Sequence, residues 1–333
     1  MLILFELSQE HKTLPKSDIL ACLDAESINY VVVDSNLDVL IIKTEISKLK
    51  KLQHRLSFTF SVCELLFSCS PNSEDIKNCS KNKPIKKEGS ICIKHKNRSK
   101  NLASQPILDA LGDVYTKNRK VDLVKPDITL RILITDNSIY VGLLILTMDR
   151  SQFEKRKVQF RPFFSPISLH PKIARALVNL SCVKKNETLL DPFCGTGGIL
   201  LEAGLIGAKV IGSDIENKMI DGCRKTLDFY KIKNYKLFCL DIGSIKKNMP
   251  LVDAVVTDMP YGKSTTTKGE DISRLYERAF RTMSEVLKKD GRAVIGLSNK
   301  DMIPLGEKYF SLVETHDFRV HRSLTRYFAV YQK

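Results

Sequence analysis

The stretch Asp191-Pro-Phe-Cys-Gly195-Thr-Gly197-Gly198 follows a short buried-strand pattern at 187–191 and precedes a helical pattern at 198–205. Glycines in such a strand-to-helix turn let the backbone turn tightly and approach a ligand closely. A dinucleotide-binding turn, G-x-G-x-x-G/A, would require Gly or Ala where this chain has Leu200. The stretch therefore predicts a ligand at the end of a strand, but not a dinucleotide.

Strands and helices alternate through the second half of the chain. Strand patterns at 187–191, 209–213, 235–240, 254–257 and 293–297 alternate with helical patterns at 198–205, 217–230 and 272–289. This alternation favours a parallel, doubly wound α/β sheet. The runs at 310–314 and 326–331 break the rhythm and predict a closing antiparallel hairpin.

Acidic residues end three successive strands of this predicted sheet: Asp191, Asp214 and Asp241. A lone Asp is more often a turn or cap residue, but ligands of such sheets bind at the carboxyl ends of the strands. A carboxylate before the glycines suits a ligand that carries an ammonium and a sulfonium. Asp214 is placed for ribose hydroxyls and Asp241 for an adenine, so the three together predict S-adenosylmethionine as the cofactor.

The composition excludes several classes of protein. The 333 residues are 43% apolar, which excludes global disorder, and they suffice for two or three domains. The longest apolar stretch, 140–148, is far shorter than the roughly 20 residues that span a membrane, and no secretory signal is visible. With 53 Lys and Arg against 38 Asp and Glu, the net charge of +15 makes a polyanionic partner worth seeking.

Nine scattered cysteines never form C-x-x-C. This pattern indicates reduced thiols in a cytoplasmic protein and predicts no metal site. No heptad pattern or apolar stripe requires a protein partner, so we expect a monomer.

The first half has shorter elements. Residues 1–60 have the pattern strand, helix, strand, helix, and strands at 128–133 and 139–146 flank a turn at Asp136-Asn137. The lysine-rich segment 80–100 has the composition of a solvated loop, at least as far as Lys87. Prolines space out a basic connector at 149–171.

A second motif, Asp258-Met-Pro-Tyr-Gly262, follows the fourth strand. In isolation it is a turn built from Pro and Gly. At this place in the sheet it resembles the Asp-Pro-Pro-Tyr motif of methyltransferases that act on exocyclic amino nitrogens of bases, with Met259 in place of the commonest Pro. Residues 170–333 thus resemble a class I methyltransferase domain. In such a site a carboxylate and a backbone carbonyl accept the two N–H bonds of the amine, while the tyrosine stacks on the base.

Residues 121–142 resemble the end of a THUMP domain, an RNA-binding module of tRNA-modifying enzymes. Residues 149–180 and 320–326 are similar to the archaeal tRNA guanine-N2 dimethyltransferases that act at position 10. This resemblance implies S-adenosylmethionine-dependent methylation, once or twice, of the exocyclic N2 amine of one tRNA guanosine. The predicted fold class is α/β: an N-terminal α+β ferredoxin-like domain at 1–62, a THUMP domain at 63–149, a linker at 150–168 and a C-terminal Rossmann-like class I methyltransferase domain at 169–333.

The resemblance also assigns roles to individual residues. It implies base-binding and catalytic roles for Asp258, Pro260 and Tyr261. It implies cofactor contacts for His170, Pro171, Asp191, Phe193, Gly195, Thr196, Gly197, Asp214, Ile215, Asp241 and Ile242. The basic residues expected to contact RNA are Lys94, Arg98, Lys117, Arg119, Lys155, Arg156, Lys157, Arg161, Arg322 and Arg326. His170 and Pro171 are explained equally well as the start of a helix, because Pro is favoured at its first position.

Three alternatives remain at this point. The chain could methylate another tRNA guanosine, for example at position 6, or an adenine in DNA, or it could be an inactive RNA-binding adaptor. A DNA target is disfavoured because no helix-turn-helix pattern is present. An adaptor is disfavoured because binding alone does not require a carboxylate at Asp258 beside Tyr261.

Overall fold

A computed structural model gives the fold and describes residues 1–165, 168–261, 271–321 and 324–333. The backbone packs into two compact units. Unit 1 consists of Met1–Lys12, Ile28–Gln53 and Thr59–Met148, and unit 2 consists of Thr13–Ser27, His54–Phe58 and Asp149–Lys333. The division into domains at residues 62, 149 and 168 stays a prediction, since units of packing and domains need not coincide.

Unit 1 is built on one sheet. The elements up to residue 148 are β1 (Leu2–Leu7), α1 (Leu14–Ala25), β2 (Val31–Ser35), β3 (Val39–Lys43), a 3₁₀ helix (Ile46–His54), β4 (Thr59–Cys69), α2 (Ser73–Lys81), β5 (Ile91–Asn97), α3 (Gln105–Tyr115), β6 (Ile128–Ile134) and β7 (Ile139–Thr147). In the described residues the seven strands form one sheet in the order β2-β3-β1-β4-β7-β6-β5. Helices α2 and α3 pack their apolar sides on β4 to β7.

The first four strands follow the ferredoxin-like order β4-β1-β3-β2, all antiparallel, so the predicted α+β amino-terminal half is confirmed. The pattern strand, helix, strand, helix for residues 1–60 was wrong in one respect, because residues 31–43 form two strands. Asn36 makes the turn between them: its side chain accepts from the amides of Asp38 and Val39 at 2.8 and 3.0 Å. Asn favours such turns because its side chain can bond to the nearby backbone.

Unit 2 contains the predicted alternating sheet. Its elements from residue 149 onward are α4 (Ser151–Glu154), a 3₁₀ helix (Val158–Phe160), α5 (Pro171–Leu180), β8 (Thr188–Asp191), α6 (Gly198–Leu205), β9 (Lys209–Asp214), α7 (Asn217–Phe229), β10 (Tyr235–Cys239), a 3₁₀ helix (Ile242–Ser244), α8 (Ile245–Asn248), β11 (Val252–Asp258), α9 (Ile272–Val286), β12 (Leu287–Leu297), a 3₁₀ helix (Lys300–Met302), α10 (Ile303–Glu307), β13 (Ser311–His321) and β14 (Leu324–Gln332). The strand order is β10-β9-β8-β11-β12-β14-β13, with β8 to β12 parallel and β13 and β14 forming an antiparallel hairpin. The predicted doubly wound sheet and closing hairpin are confirmed.

Helices cover both faces of this sheet. Leu177 of α5 and Leu200 of α6 are buried on one face, and Tyr276 and Phe280 of α9 on the other. Burying one large apolar side chain stabilises a fold by about 1.5–3 kcal/mol. Because the parallel strands point the same way, their carboxyl ends meet at one edge, where the predicted ligand residues lie.

Helix α1 contributes to the core of unit 2. Its Leu14 and Ala21 join the same apolar cluster as α5. The buried carboxylate of Asp18 accepts from the Asn179 side chain at 2.7 Å and from the Ser57 amide at 2.9 Å. Residues from the first 60 therefore complete the packing of unit 2.

Within the described ranges, no helix is long and apolar enough to cross a membrane. In the same residues, no group of three or more His, Cys, Asp or Glu side chains is arranged to hold a metal ion. All nine cysteines lie in the described part of the chain, and none of them forms a disulfide there.

Candidate active site

The turn after β8 brings two glycines to the carboxyl edge of the sheet. Gly195 and Gly197 have left-handed φ angles of 48° and 80°, which Gly adopts readily and other residues rarely do. A Cβ on Gly197 would lie 2.5 Å from the Sγ atom of Cys223. No described atom comes within 4 Å of the corresponding position at Gly195, so the turn leaves open space on that side.

Asp191 ends β8 as a buried carboxylate, with 1% of its surface exposed. It accepts from the Thr257 hydroxyl at 2.7 Å and from the Phe193 amide at 3.2 Å. Burial raises the pKa of Asp191 to about 7, and the negative charges of Asp214 and Asp258 add to the rise against these two hydrogen bonds.

Asp214 ends β9 and supports the glycine turn. Its carboxylate oxygens accept from the amides of Gly195 and Glu216, both at 3.0 Å. Burial raises the pKa of Asp214, although the two amides oppose this rise. Among the described residues, neither Asp191 nor Asp214 forms a salt bridge with a cation. A buried carboxylate without a cation is costly, so a ligand with an ammonium and a sulfonium fits this edge of the sheet.

Asp241, which follows β10, is already paired. Its carboxylate binds the guanidinium of Arg278 on α9, with one N–O distance of 3.2 Å, and accepts from the Gly243 amide at 2.8 Å. Partial burial acts to raise the pKa of Asp241, but these bonds outweigh it and lower the pKa. Asp241 therefore remains ionised, and part of its hydrogen-bonding capacity is used by Arg278.

The second motif ends β11 with Asp258 and Tyr261 side by side. The Tyr261 hydroxyl donates to Asp258 Oδ1, and the Arg326 guanidinium contacts both groups. Burial raises the pKa of Asp258, whereas the Arg326 charge and the Tyr261 hydroxyl act to lower it. Burial also raises the pKa of Tyr261, so its phenol is neutral.

Met259 and Pro260 hold the backbone of this motif. The side chain of Met259 is buried, and its amide donates to the Gly296 carbonyl at 2.9 Å, a bond that Pro at this position could not make. The Pro260 carbonyl accepts from the Tyr276 hydroxyl at 2.9 Å. A Cβ on Gly296 would collide with the Asp258 carboxylate, so Gly296 provides the space in which that carboxylate lies.

These groups line one cleft of about 480 Å³. The residues that were predicted from the sequence and line it are Asp191, Phe193, Gly195, Thr196, Asp214, Ile215, Asp241, Ile242, Asp258, Pro260 and Tyr261. The cleft also includes Ser168, Glu216 and Arg278, which were not predicted from the sequence. Glu216 could have been predicted as a lining residue, since it lies two residues beyond Asp214 at the end of the same strand. Arg278 could not, because nothing distinguishes it from the other basic residues of its helical pattern.

Three predicted cofactor residues, His170, Pro171 and Gly197, are not among the described residues that line the cleft. His170 caps α5: its Nδ1 accepts from the Lys172 amide at 3.2 Å, and its Nε2 lies 3.2 Å from Glu154 Oε1. Pro171 is the first residue of that helix. The structure therefore supports the interpretation of His170 and Pro171 as a helix start.

Two arginines of unit 1 that were expected to bind RNA are engaged within the unit. Arg98 donates to Asp38 at 2.8 Å and lies 3.3 Å from the buried carboxylate of Glu6. Arg119 donates to three backbone carbonyls, those of Ile85, Lys87 and Gly89. Arg98 is thus part of a buried ion network, and Arg119 holds a loop, so neither guanidinium is a freely exposed phosphate ligand.

The predicted linker contributes two buried arginines to unit 2. Arg156 forms two hydrogen bonds with the fully buried Glu202 of α6, at 2.8 and 3.0 Å, and Arg175 lies 2.8 Å from the same carboxylate. Arg161 donates to the Arg156 carbonyl at 2.9 Å and is 6% exposed. The expectation that Arg156 and Arg161 bind RNA phosphates is corrected, because both side chains lie inside the fold.

Other basic residues stay available. Lys94, Lys117 and Lys155 are exposed, and Lys157, half-buried, pairs with Glu154. Arg326 is buried beside Asp258, which moves it from the RNA-binding set to the reaction site. Gly262 of the second motif and Arg322, which was expected to contact RNA, lie outside the described residues.

Comparison with known proteins identifies the family. Residues 158–327 match the family described as RMKL-like, methyltransferase domain, and residues 73–144 match the THUMP domain. Over 332 residues the chain is 32% identical to the tRNA (guanine(10)-N2)-dimethyltransferase of Methanothermobacter thermautotrophicus, with 98% of each protein covered. The chain belongs to the archaeal tRNA (guanine(10)-N2)-dimethyltransferase family.

Further members and folds agree with this family. The tRNA (guanine(10)-N2)-dimethyltransferase of Methanocaldococcus jannaschii is 39% identical over 244 residues, 71% of this chain and 67% of that protein. The crystal structure of TrmN from Thermus thermophilus covers 100% of both chains with a TM-score of 0.57 at 18% identity, which concerns the fold alone. The predicted membership of the tRNA (guanine(10)-N2)-dimethyltransferase family is confirmed.

Proposed function

We propose that this chain methylates the exocyclic N2 amine of the guanosine at position 10 of tRNA, forming N2-methylguanosine and then N2,N2-dimethylguanosine. The observation that carries the proposal is the Asp258–Tyr261 pair, which lines the same cleft as the carboxylates of Asp191 and Asp214. A base amine and a cationic methyl donor are the two ligands that such a cleft brings together.

S-adenosylmethionine supplies the methyl group. Asp191 offers a carboxylate to the ammonium of this cofactor, and Asp214 offers one to the ribose hydroxyls. Ile215 and Ile242 line the cleft with apolar surface suited to an adenine, and Asp241 directly precedes Ile242 in the chain. The uncompensated charges of Asp191 and Asp214 are the feature of this chain that fits the cofactor.

Asp258 acts on the amine of the base. The guanine N2 lone pair is delocalised into the ring, so the amine is a poor nucleophile until its hydrogens are held. By accepting one N–H bond, the Asp258 carboxylate orients the nitrogen lone pair away from itself and stabilises the positive charge that develops on nitrogen. The Pro260 carbonyl, although it already accepts from Tyr276, retains a second lone pair for the other N–H.

Positioning accounts for the rest of the reaction. The nitrogen lone pair would form the new N–C bond while the bond between the methyl group and the cofactor sulfur breaks, with the electron pair of that bond staying on sulfur. The proton would leave N2 once the charge has formed, with Asp258 as its acceptor. Tyr261 offers its ring to the target base, and stacking offsets part of the few kcal/mol needed to take a base out of folded RNA. A second methyl requires that the same carboxylate receive the remaining N–H of the methylated amine.

The tRNA is also bound through basic surface. Exposed lysines of unit 1, including Lys94 and Lys117, supply charge for phosphates. We also propose that the chain is a monomer and that it lies in the cytoplasm. Its free thiols agree with a reducing compartment.

The test is methylation of an unmodified tRNA transcript with S-adenosylmethionine, followed by nuclease digestion and mass spectrometry of the nucleosides and fragments. We expect N2-methylated guanosine at position 10. Asp258→Ala is expected to lower the transfer rate by at least about 100-fold with tRNA affinity retained. If the chain binds cofactor and tRNA but forms no methylated guanosine, it is an RNA-binding adaptor. Methylation of a guanosine at another position would show that the enzyme modifies that position instead of position 10.

A further inference from the structure

Arg326 on β14 makes three contacts with the reaction motif. Its Nε donates to the Tyr261 hydroxyl oxygen at 2.8 Å, and its Nη2 lies 3.3 Å from Asp258 Oδ2. Its Cζ also lies 5.4 Å from the centre of the Tyr261 ring. The Tyr261 hydroxyl in turn donates to Asp258 Oδ1. Each member of this trio is therefore held by the other two.

The trio is enclosed, which makes its charges interact strongly. Arg326 has 6% of its surface exposed, and 17% of the Asp258 side chain is exposed. A guanidinium in so enclosed a place carries a desolvation cost that is offset only by a well-placed anion. Arg326 is thus placed to act on Asp258 and Tyr261 and has little surface left for an RNA phosphate.

We propose that Arg326 is a positioning residue for methyl transfer, which fixes the Asp258 carboxylate and the Tyr261 ring in the orientations that receive the target guanine. The proposal rests on the function proposed above. It assigns to the closing hairpin of the sheet, β13 and β14, a part in the reaction.

The same geometry indicates what the incoming base replaces. The Tyr261 hydroxyl occupies Asp258 Oδ1, one of the two oxygens available to the N2 amine. When the amine donates to this oxygen, the hydroxyl gives up its acceptor, and Arg326 still holds the phenol oxygen through Nε. The ring thereby keeps its orientation while the carboxylate changes partner.

Arg326 also favours the ionised form of the carboxylate. Among the described residues, the charged and titratable groups that interact with Asp258 are Asp191 on β8, Tyr261 after β11, Tyr276 on α9 and Arg326 on β14. Asp191 opposes ionisation of Asp258, whereas Arg326 favours it. Removing the Arg326 charge therefore raises the pKa of Asp258 and makes the acceptor protonated over a wider pH range.

The experiment compares full-length Arg326→Gln, Arg326→Lys and wild-type protein in single-turnover methylation of tRNA at saturating cofactor. In Arg326→Gln we expect a rate about 100-fold lower, with cofactor and tRNA dissociation constants within about threefold. The acid limb of the rate against pH should move to higher pH. Arg326→Lys restores the positive charge, so its acid limb should return toward that of wild type. Its rate should recover only in part, because Lys cannot make the planar contacts of the guanidinium.

Arg292→Gln is the matched control. Arg292 is an arginine of the same sheet, on β12, and it donates to the Gln332 side chain and the Leu180 carbonyl rather than to the motif. The Arg292→Gln variant should have the methylation rate and the pH profile of wild type. Circular dichroism and cofactor binding check the fold of each variant, and if Arg326→Gln does not fold, the rate and pH profile of Arg326→Lys decide.

A wild-type rate and pH profile in Arg326→Gln would overturn the proposal. So would a loss confined to tRNA affinity, which would return Arg326 to the RNA-binding residues. Either result is obtained with an active wild-type enzyme, whereas failure of the proposed function would show as absent methylation in the wild type itself.

Discussion

Asp191 is a single carboxylate whose charge depends on what the cleft holds. Burial raises its pKa to about 7, so the cofactor-free chain carries a proton on Asp191 under mildly acidic conditions. Because the pKa of Asp191 is higher in the folded chain than in the unfolded chain, protonation of Asp191 stabilises the cofactor-free fold. This contribution is fully present below the pKa of the unfolded chain and is lost as the pH rises through about 7. A cationic ligand favours the ionised form, and its binding must therefore displace the proton.

We expect the affinity for S-adenosylmethionine to rise between about pH 5.5 and pH 8, with proton release on binding at the acid end. Isothermal titration calorimetry in buffers of different ionisation enthalpy measures both quantities. Asp191→Asn should weaken binding by about tenfold or more and should remove the contribution of this residue to proton release. Asp221→Asn, on the exposed side of α7, is the control and should behave as wild type. Affinity that is independent of pH would contradict this role.

The acidic residues of the site could be predicted from the sequence, but the burial of the arginines could not. Asp191, Asp214 and Asp258 were predictable because strand ends converge at one edge of a parallel sheet. From the sequence, Arg156 and Arg326 were expected at the surface, because the residue type alone does not show whether a buried partner neutralises its charge. Glu202 and Asp258, which neutralise them, are distant in the chain, so only the tertiary structure shows that these arginines are inside.

At the level of elements, predictions succeeded where one local pattern governed the backbone. Helix α6 begins and ends where its glycines and apolar residues predicted, at 198 and 205. Helix α9 was predicted to reach residue 289 but ends at Val286, because the buried Leu287 already begins β12. The hairpin of β2 and β3 was missed, since its turn depends on the side chain of Asn36 rather than on Gly or Pro.

Helix α6, which carries the glycine turn at its start, is anchored by a buried ion triad of Glu202, Arg156 and Arg175. Glu202→Gln would leave two guanidiniums with a neutral partner. We expect the free energy of unfolding to fall by about 3–5 kcal/mol, as when one partner of a buried pair is removed. Urea unfolding followed by circular dichroism measures this. Lys155→Gln, at an exposed neighbouring position, should change stability by less than about 0.5 kcal/mol, and an equally small effect in Glu202→Gln would show that the triad is not an anchor.

On the scale of the whole molecule, the net charge of +15 is not a uniform attraction for RNA. Arg98, Arg156, Arg161 and Arg326 are inside the fold, where their guanidiniums bind internal partners. Unit 1 instead exposes three lysines within a short segment, Lys117, Lys120 and Lys125. We call these three the 117–125 surface.

Changing Lys117, Lys120 and Lys125 together to Gln should weaken tRNA binding and lower the slope of log affinity against log salt by about 0.7–0.9 for each phosphate that the variant no longer neutralises. At saturating tRNA the methylation rate should stay near wild type, because these lysines lie in unit 1 and the reaction motif in unit 2. Filter binding over a salt series measures the slope. The matched control changes three other exposed lysines of unit 1, Lys48, Lys50 and Lys51, with the same change in net charge. Equal reductions of affinity in both triple variants would mean that tRNA responds to overall charge and not to the 117–125 surface.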